Sequence, residues 1–282
     1  MHDAHNHPDS PIATETVTSH DGTIIGYRVI GQGPGLLLIH GGAGRSEYFL
    51  PLAQLLADRY TVYVMDRRGR GLSGPQGADY HIEQEYADVI ALVEQTGIPY
   101  VFGHSYGGTV ALGAALTRPL PKLALYEPGL PVGGPLVGEG KLQTMRTHLE
   151  RDDYLGAYLA FLQGSDVAAS LHISEEQLSQ HFASLATANT LEWQAIVELL
   201  PTLFNEGQAA DHLSSDVSRY TPISSDILLI GGSASSEPLR ATLHALEAAL
   251  PQAHTLILPN QGHSAPTTAP ELVAPLLQAF FV

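Results

Sequence analysis

Ser105 stands in Val101-Phe102-Gly103-His104-Ser105-Tyr106-Gly107-Gly108, a Gly-x-Ser-x-Gly stretch between an apolar run and a helix-forming one. That spacing turns a strand sharply into a helix at the serine, and the flanking glycines leave room for the bend. The hydroxyl is then held clear of the sheet over a helix N-terminus, the way a nucleophile is displayed. The pattern alone is common. Its setting, Tyr100 to Gly103 as a strand and Thr109 to Leu116 as a buried helix, is what points to chemistry.

A serine hydroxyl attacks only when a base takes its proton, and a base that works near neutrality is a histidine. His263 is the candidate, in the short turn Leu258-Pro259-Asn260-Gln261-Gly262-His263-Ser264. His104 alternates away from the reactive side and reads as structural, and His40 reads as a brace for Gly41-Gly42. A tetrahedral intermediate needs backbone N–H donors aimed at its negative oxygen. The N–H groups of Gly42 and Tyr106 are the two on offer as an oxyanion hole. A Gly-rich loop also cradles phosphates, but no Gly-Lys-Ser/Thr follows Gly44.

These residues lie far apart in sequence, so the elements between them must bring them together. Glu15 to Ser19 and Thr23 to Ile30 read as a hairpin turned at His20-Asp21-Gly22. Apolar strands follow at Leu36 to Ile39, Thr61 to Met65, Tyr100 to Gly103, Leu123 to Tyr126, Ile227 to Ile230 and Thr255 to Leu258. Helical spacing separates them: Phe49, Leu52, Leu55 and Leu56; Ile82, Tyr86, Val89, Ile90 and Val93; Pro238 to Leu250; and a closing helix from Pro270. The alternation predicts an α/β fold, a mostly parallel eight-stranded sheet with helices on both faces and functional loops at the carboxyl ends of its strands.

From 131 to 220 the alternation stops and only helical patterns appear, one of them opened by a Ser174-x-x-Gln177 capping box. This block reads as a helical cap inserted into a core domain of 15–130 and 221–282, and 1–14 reads as a flexible tail. His2, His5 and His7 in that tail invite a metal reading, but no scaffold fixes them, so no metal is expected.

Composition limits the partners. The chain of 282 residues carries 29 acidic against 13 basic residues, a formal charge of −16 that disfavours nucleic acid and anionic membranes. No apolar run is long enough to span a bilayer, and Met1 to Pro11 lacks the pattern of a secretion signal, so a cytoplasmic protein is the expectation. The absence of cysteine removes disulfides, thiolate metal sites and thiol nucleophiles together. The expected partner is a small-molecule substrate, no cofactor is called for, and a homodimer is compatible with the sequence.

His40-Gly41-Gly42, Asp66-Arg67-Arg68-Gly69-Arg70-Gly71-Leu72-Ser73, Gly103-His104-Ser105-Tyr106-Gly107-Gly108 and Gly262-His263, in that order, resemble the α/β-hydrolase superfamily over about 15–130 and 222–282. The resemblance implies a triad whose acid follows the strand at 227–230 as Gly-x-x-Asp. Here that loop is Gly231-Gly232-Ser233-Ala234. Some members of the superfamily take the acid from the end of the preceding strand, where Glu127 stands before Pro128. A carboxylate there is costly to bury without a partner. Glu127 is therefore the first choice and Glu237 the alternative. The Asp66 to Ser73 loop is read as structural, its arginines pairing with carboxylates, with a substrate-binding arginine as the lesser reading.

A serine at the elbow argues against relatives that attack with a carboxylate, such as haloalkane dehalogenases and epoxide hydrolases. The expectation is a serine esterase acting on a small, largely apolar carboxylic ester, lactone or thioester through an acyl-enzyme. The alternatives are carbon–carbon bond hydrolysis or a biosynthetic cyclisation with the same machinery, and a non-catalytic ligand-binding protein of this fold.

Overall fold

The computed structural model describes residues 11–163 and 173–282, so His2, His5, His7 and most of the expected tail lie outside the described residues. Eight strands form one sheet: β1 (Ala13–Thr18), β2 (Ile24–Ile30), β3 (Gly35–Ile39), β4 (Thr61–Met65), β5 (Tyr100–His104), β6 (Lys122–Tyr126), β7 (Asp226–Gly232) and β8 (Ala253–Leu258). Their order is β1-β2-β4-β3-β5-β6-β7-β8. The first two pairings are antiparallel and the remainder parallel. The first strand begins at Ala13, two residues into the segment expected to be tail.

Continuous apolar runs become strands here because both faces of the sheet are covered. Side chains alternate across a strand, so Leu37 and Ile39 enter one core and Leu36 and Leu38 the other. Leu123 and Leu125 part from Ala124 and Tyr126 in the same way, as do Ile227 and Leu229 from Leu228 and Ile230. Helices α2 (Glu83–Thr96) and α3 (Tyr106–Thr117) cover the first face. Helix α1 (Leu50–Leu56) covers the second, together with the closing helix Pro270–Phe280 through Val273, Ala274 and Leu277. Leu55, expected on the apolar side of α1, is exposed, because in two turns only Leu52, Ala53 and Leu56 reach the sheet.

Between β6 and β7 the chain builds helices α4 (Glu139–Leu149), α5 (Tyr154–Leu162), α6 (Glu175–Ala188) and α7 (Leu191–Asp211). The capping box at Ser174 and Gln177 is formed, with both reciprocal hydrogen bonds present. These helices share their own core of Met145, Tyr158, Phe182, Trp193 and Leu200. Helix α7 lies over the carboxyl ends of β3 and β4. Leu203 and Glu206 face Gly42, Thr202 faces Gly69, and Asn205 donates to Gln76 at 2.8 Å. No helix among the described residues is long and apolar enough to cross a membrane.

Candidate active site

The turn after β5 places Ser105 in a conformation that L-residues rarely adopt, φ 54° and ψ −124°. Its N–H donates to the Tyr126 carbonyl at 2.9 Å, and its own carbonyl accepts from Gly108, Thr109 and Gly129. The surrounding backbone explains the two glycines. A Cβ at position 107 would stand 2.4 Å from the Ile39 carbonyl oxygen, and one at position 103 would stand 2.6 Å from that of Gly107. Either side chain would push the turn out of the sheet.

Three side chains from three strand ends meet in a line. His263 Nε2 lies 3.0 Å from Ser105 Oγ, and His263 Nδ1 lies 2.8 Å from Glu127 Oε2. Glu127 follows β6 directly, also with positive φ (43°), and its side chain is fully buried. The other carboxylate oxygen, Oε1, accepts from the Gly232 N–H at 2.7 Å and the Ser235 hydroxyl at 2.6 Å. A buried carboxylate held this way presents its remaining oxygen to the imidazole. Glu237, the alternative acid, begins α8 (Glu237–Ala249) on the surface and pairs with Arg240 at 3.0 Å. Among the described residues, the carboxylate within hydrogen-bond distance of His263 is that of Glu127.

The loop carrying His263 is anchored from below. The Tyr126 hydroxyl donates to the Gly262 carbonyl at 2.7 Å, and His104 Nε2 reaches the His263 carbonyl at 2.8 Å. Burial and the neighbouring His263 ring lower the His104 pKa to about 3, so it is a neutral imidazole that donates this bond. His40 is also held neutral, by burial and then by the charges of Arg70 and Arg67. It accepts the Arg67 N–H on Nε2, so the proton on Nδ1 is donated to the Gly41 carbonyl. His104 and His40 thus brace loops, as their types and positions suggested.

Both imidazoles are lowered from an ordinary 6.5, so the unfolded chain binds more protons below that value. Stability therefore falls as pH drops from about 6.5 towards 3. The urea midpoint of a His104→Gln variant, which retains a donor for the His263 carbonyl, is expected to fall less between roughly pH 7.5 and pH 5 than that of the wild type. Parallel declines in the two proteins would refute the linkage.

The Gly41-Gly42 segment runs beside the serine: a Cβ at position 41 would stand 3.0 Å from Ser105 Cβ. Among the described residues neither the Gly42 N–H nor the Tyr106 N–H has an acceptor. Leu136 approaches Gly129, itself against the Ser105 backbone, and Leu203 approaches Gly42.

Behind that loop is a cluster of charges that sequence reading left unassembled. Arg67, Arg70, Glu85 and Glu206 are all buried, with Arg67 bonded to Glu85 at 2.6 and 2.9 Å and to Glu206 at 2.6 Å, and Arg70 paired with Glu206. Arg68 forks onto Asp88 at 2.8 and 2.7 Å, and Asp66 accepts from the N–H groups of Ser46 and Leu72. The arginines of the 66–73 loop thus pair with carboxylates. Glu206 carried a legible signal: Leu199, Leu203, Glu206 and Ala210 fall on one buried stripe of α7, and an acid on such a stripe needs a cation beneath it.

A model described as "Alpha/beta hydrolase family" matches residues 36–276. The chain is 39% identical over 102 residues to "Uncharacterized hydrolase YraK" of Bacillus subtilis (strain 168), a match covering 35% of this chain and 38% of that protein. It is 31% identical over 179 residues to "Pimeloyl-[acyl-carrier protein] methyl ester esterase" of Xylella fastidiosa (strain M23), covering 61% of this chain and 69% of the relative. Among solved structures, an alpha/beta hydrolase from Sphaerobacter thermophilus DSM 20745 is 30% identical with a TM-score of 0.79, covering 95% of this chain and 100% of that one.

Proposed function

The chain belongs to the alpha/beta hydrolase family, and on that premise we propose that it is a serine hydrolase of small, largely apolar carboxylic esters or their lactone and thioester counterparts. The observation that carries this reading is the continuous Ser105–His263–Glu127 hydrogen-bond line, with distances of 3.0 and 2.8 Å. His263 Nε2 takes the proton as Ser105 Oγ attacks the substrate carbonyl carbon. Glu127 holds the Nδ1 proton and stabilises the imidazolium that forms. The tetrahedral oxyanion is received by the N–H groups of Gly42 and Tyr106. His263 then protonates the leaving alkoxide, and water repeats the sequence on the acyl-enzyme to release the acid.

Leu136 beside Gly129 and Leu203 beside Gly42 support an apolar acyl group, and likeness to a protein named as a methyl ester esterase supports the ester class. A carboxylate within hydrogen-bond distance of His263 favours turnover over a ligand-binding protein without it. A fluorophosphonate probe tests the reading: one covalent adduct is expected, on the Ser105 peptide, with hydrolysis of short p-nitrophenyl esters lost in step. A folded protein that takes no label would refute it.

A further inference from the structure

We propose that Arg67 is a positioning residue for the oxyanion hole, orienting and strengthening the Gly42 N–H from behind, with a counter-ion supplied by the cap. This rests on the serine hydrolase reading above.

The argument begins with one peptide bond. Its carbonyl belongs to Gly41 and its N–H to Gly42, and in a trans peptide the two point in opposite directions. Whatever holds the Gly41 oxygen therefore aims the Gly42 N–H. Three donors converge on that oxygen: Arg67 Nη1 at 3.0 Å, His40 Nδ1 at 2.8 Å and the Gly44 N–H at 3.2 Å. The guanidinium is the charged one of the three. A charge-assisted bond to a peptide oxygen draws electron density from the amide and makes its N–H a better donor. Gly41, the residue just before that N–H, runs beside Ser105: a Cβ on it would come within 3.0 Å of the Ser105 Cβ.

The same guanidinium also touches the residue that carries the proposed second donor. It lies over the Tyr106 ring, 4.5 Å from its centroid, and Tyr106 supplies the second N–H. The Tyr106 hydroxyl meets that of Tyr80 at 2.7 Å, and Tyr80 donates to Glu85 at 2.6 Å. Glu85 is the carboxylate that grips Arg67. The ring beside one proposed donor and the carbonyl behind the other are thus tied to one cation.

Stability alone gives little reason for this cluster. Replacing a buried ion pair with apolar side chains of similar volume is often neutral or stabilising. Glu206 comes from cap helix α7 and bonds both Arg67 and Arg70, while Arg70 donates to the Gly42 carbonyl. The cap therefore completes the charge balance behind the loop.

The test is an Arg67→Met and Arg67→Lys pair in the full chain, compared with wild type on a short p-nitrophenyl ester. Arg67→Met is expected to lower kcat about 10- to 100-fold, less than removal of an oxyanion donor itself, with KM within about twofold. Affinity for an alkyl boronic acid, which forms a tetrahedral anionic adduct on serine, should weaken by the same factor as kcat. Arg67→Lys keeps the charge but not the fork, and should fall between Arg67→Met and wild type on both measures. A kcat within twofold of wild type, or a fall in kcat with boronate affinity unchanged, would overturn the inference. If Arg67→Met does not fold, Arg67→Lys is held to the same two measures, with circular dichroism and melting temperature as the control. The underlying reading fails separately, through a Ser105→Ala variant that keeps its turnover.

Discussion

Ser105→Ala lowers kcat for a short p-nitrophenyl ester by about 10^5-fold or more, while the melting temperature stays within a few degrees. Only the hydroxyl oxygen is removed, and the backbone strain at φ 54° remains because the turn is held by its neighbours, not by Oγ. In the proposed mechanism that oxygen forms the covalent bond, so no second group takes its place. In the same mechanism the residual rate over water comes from the proposed oxyanion donors, the N–H groups of Gly42 and Tyr106, which would still receive an oxyanion formed by a direct attack of water. The measurement is steady-state hydrolysis with the alanine protein checked by circular dichroism. Retention of a tenth of the wild-type rate would sink the acyl-enzyme.

Glu127→Gln costs about 10^4-fold in kcat, and Glu237→Gln leaves it within twofold. The size of the first effect follows from hydrogen-bond bookkeeping at one carboxylate. Glu127 Oε1 accepts from Gly232 and Ser235, both donors, so a glutamine places its carbonyl oxygen there. Its NH2 group then faces His263 Nδ1, which must accept. The ring proton moves to Nε2, the atom 3.0 Å from Ser105 Oγ, and that nitrogen loses the lone pair it needs to take the serine proton. The change alters neither size nor packing, so the variant is expected to fold. Glu237 is bound at the surface to Arg240 and touches none of these atoms. An intact Glu127→Gln enzyme, or an inactive Glu237→Gln enzyme, would overturn the assignment of the acid.

The Arg67 cluster extends the same logic to residues that never meet substrate. Its readout differs from that of the triad. Ser105 and Glu127 variants remove bond-making or proton transfer, whereas Arg67 variants weaken a donor already in place. Their expected losses are accordingly smaller and should be shared between kcat and boronate affinity.

The inner strands of the sheet were legible because they are buried on both faces, which makes Leu36 to Ile39 or Ile227 to Ile230 short unbroken apolar runs. The elbow was legible because its chemistry is local: a serine between glycines, after a strand and before a helix.

The acid beside His263 was not legible in the same way. Glu127 and Glu237 both follow strands on the functional edge, and one-dimensional spacing ranks them only by analogy. What separates them is the turn at Glu127, where a positive φ swings the carboxylate under the Gly232 N–H and the Ser235 hydroxyl, which come from the next strand's loop. The charge cluster behind Gly41 needed the fold outright, because Arg67 and Glu85 come from separate elements of the core and Glu206 joins them only through the docking of cap on core. Periodicity records which side of an element is buried. It carries no record of which buried polar groups from distant segments will satisfy one another, because that pairing depends on packing between elements.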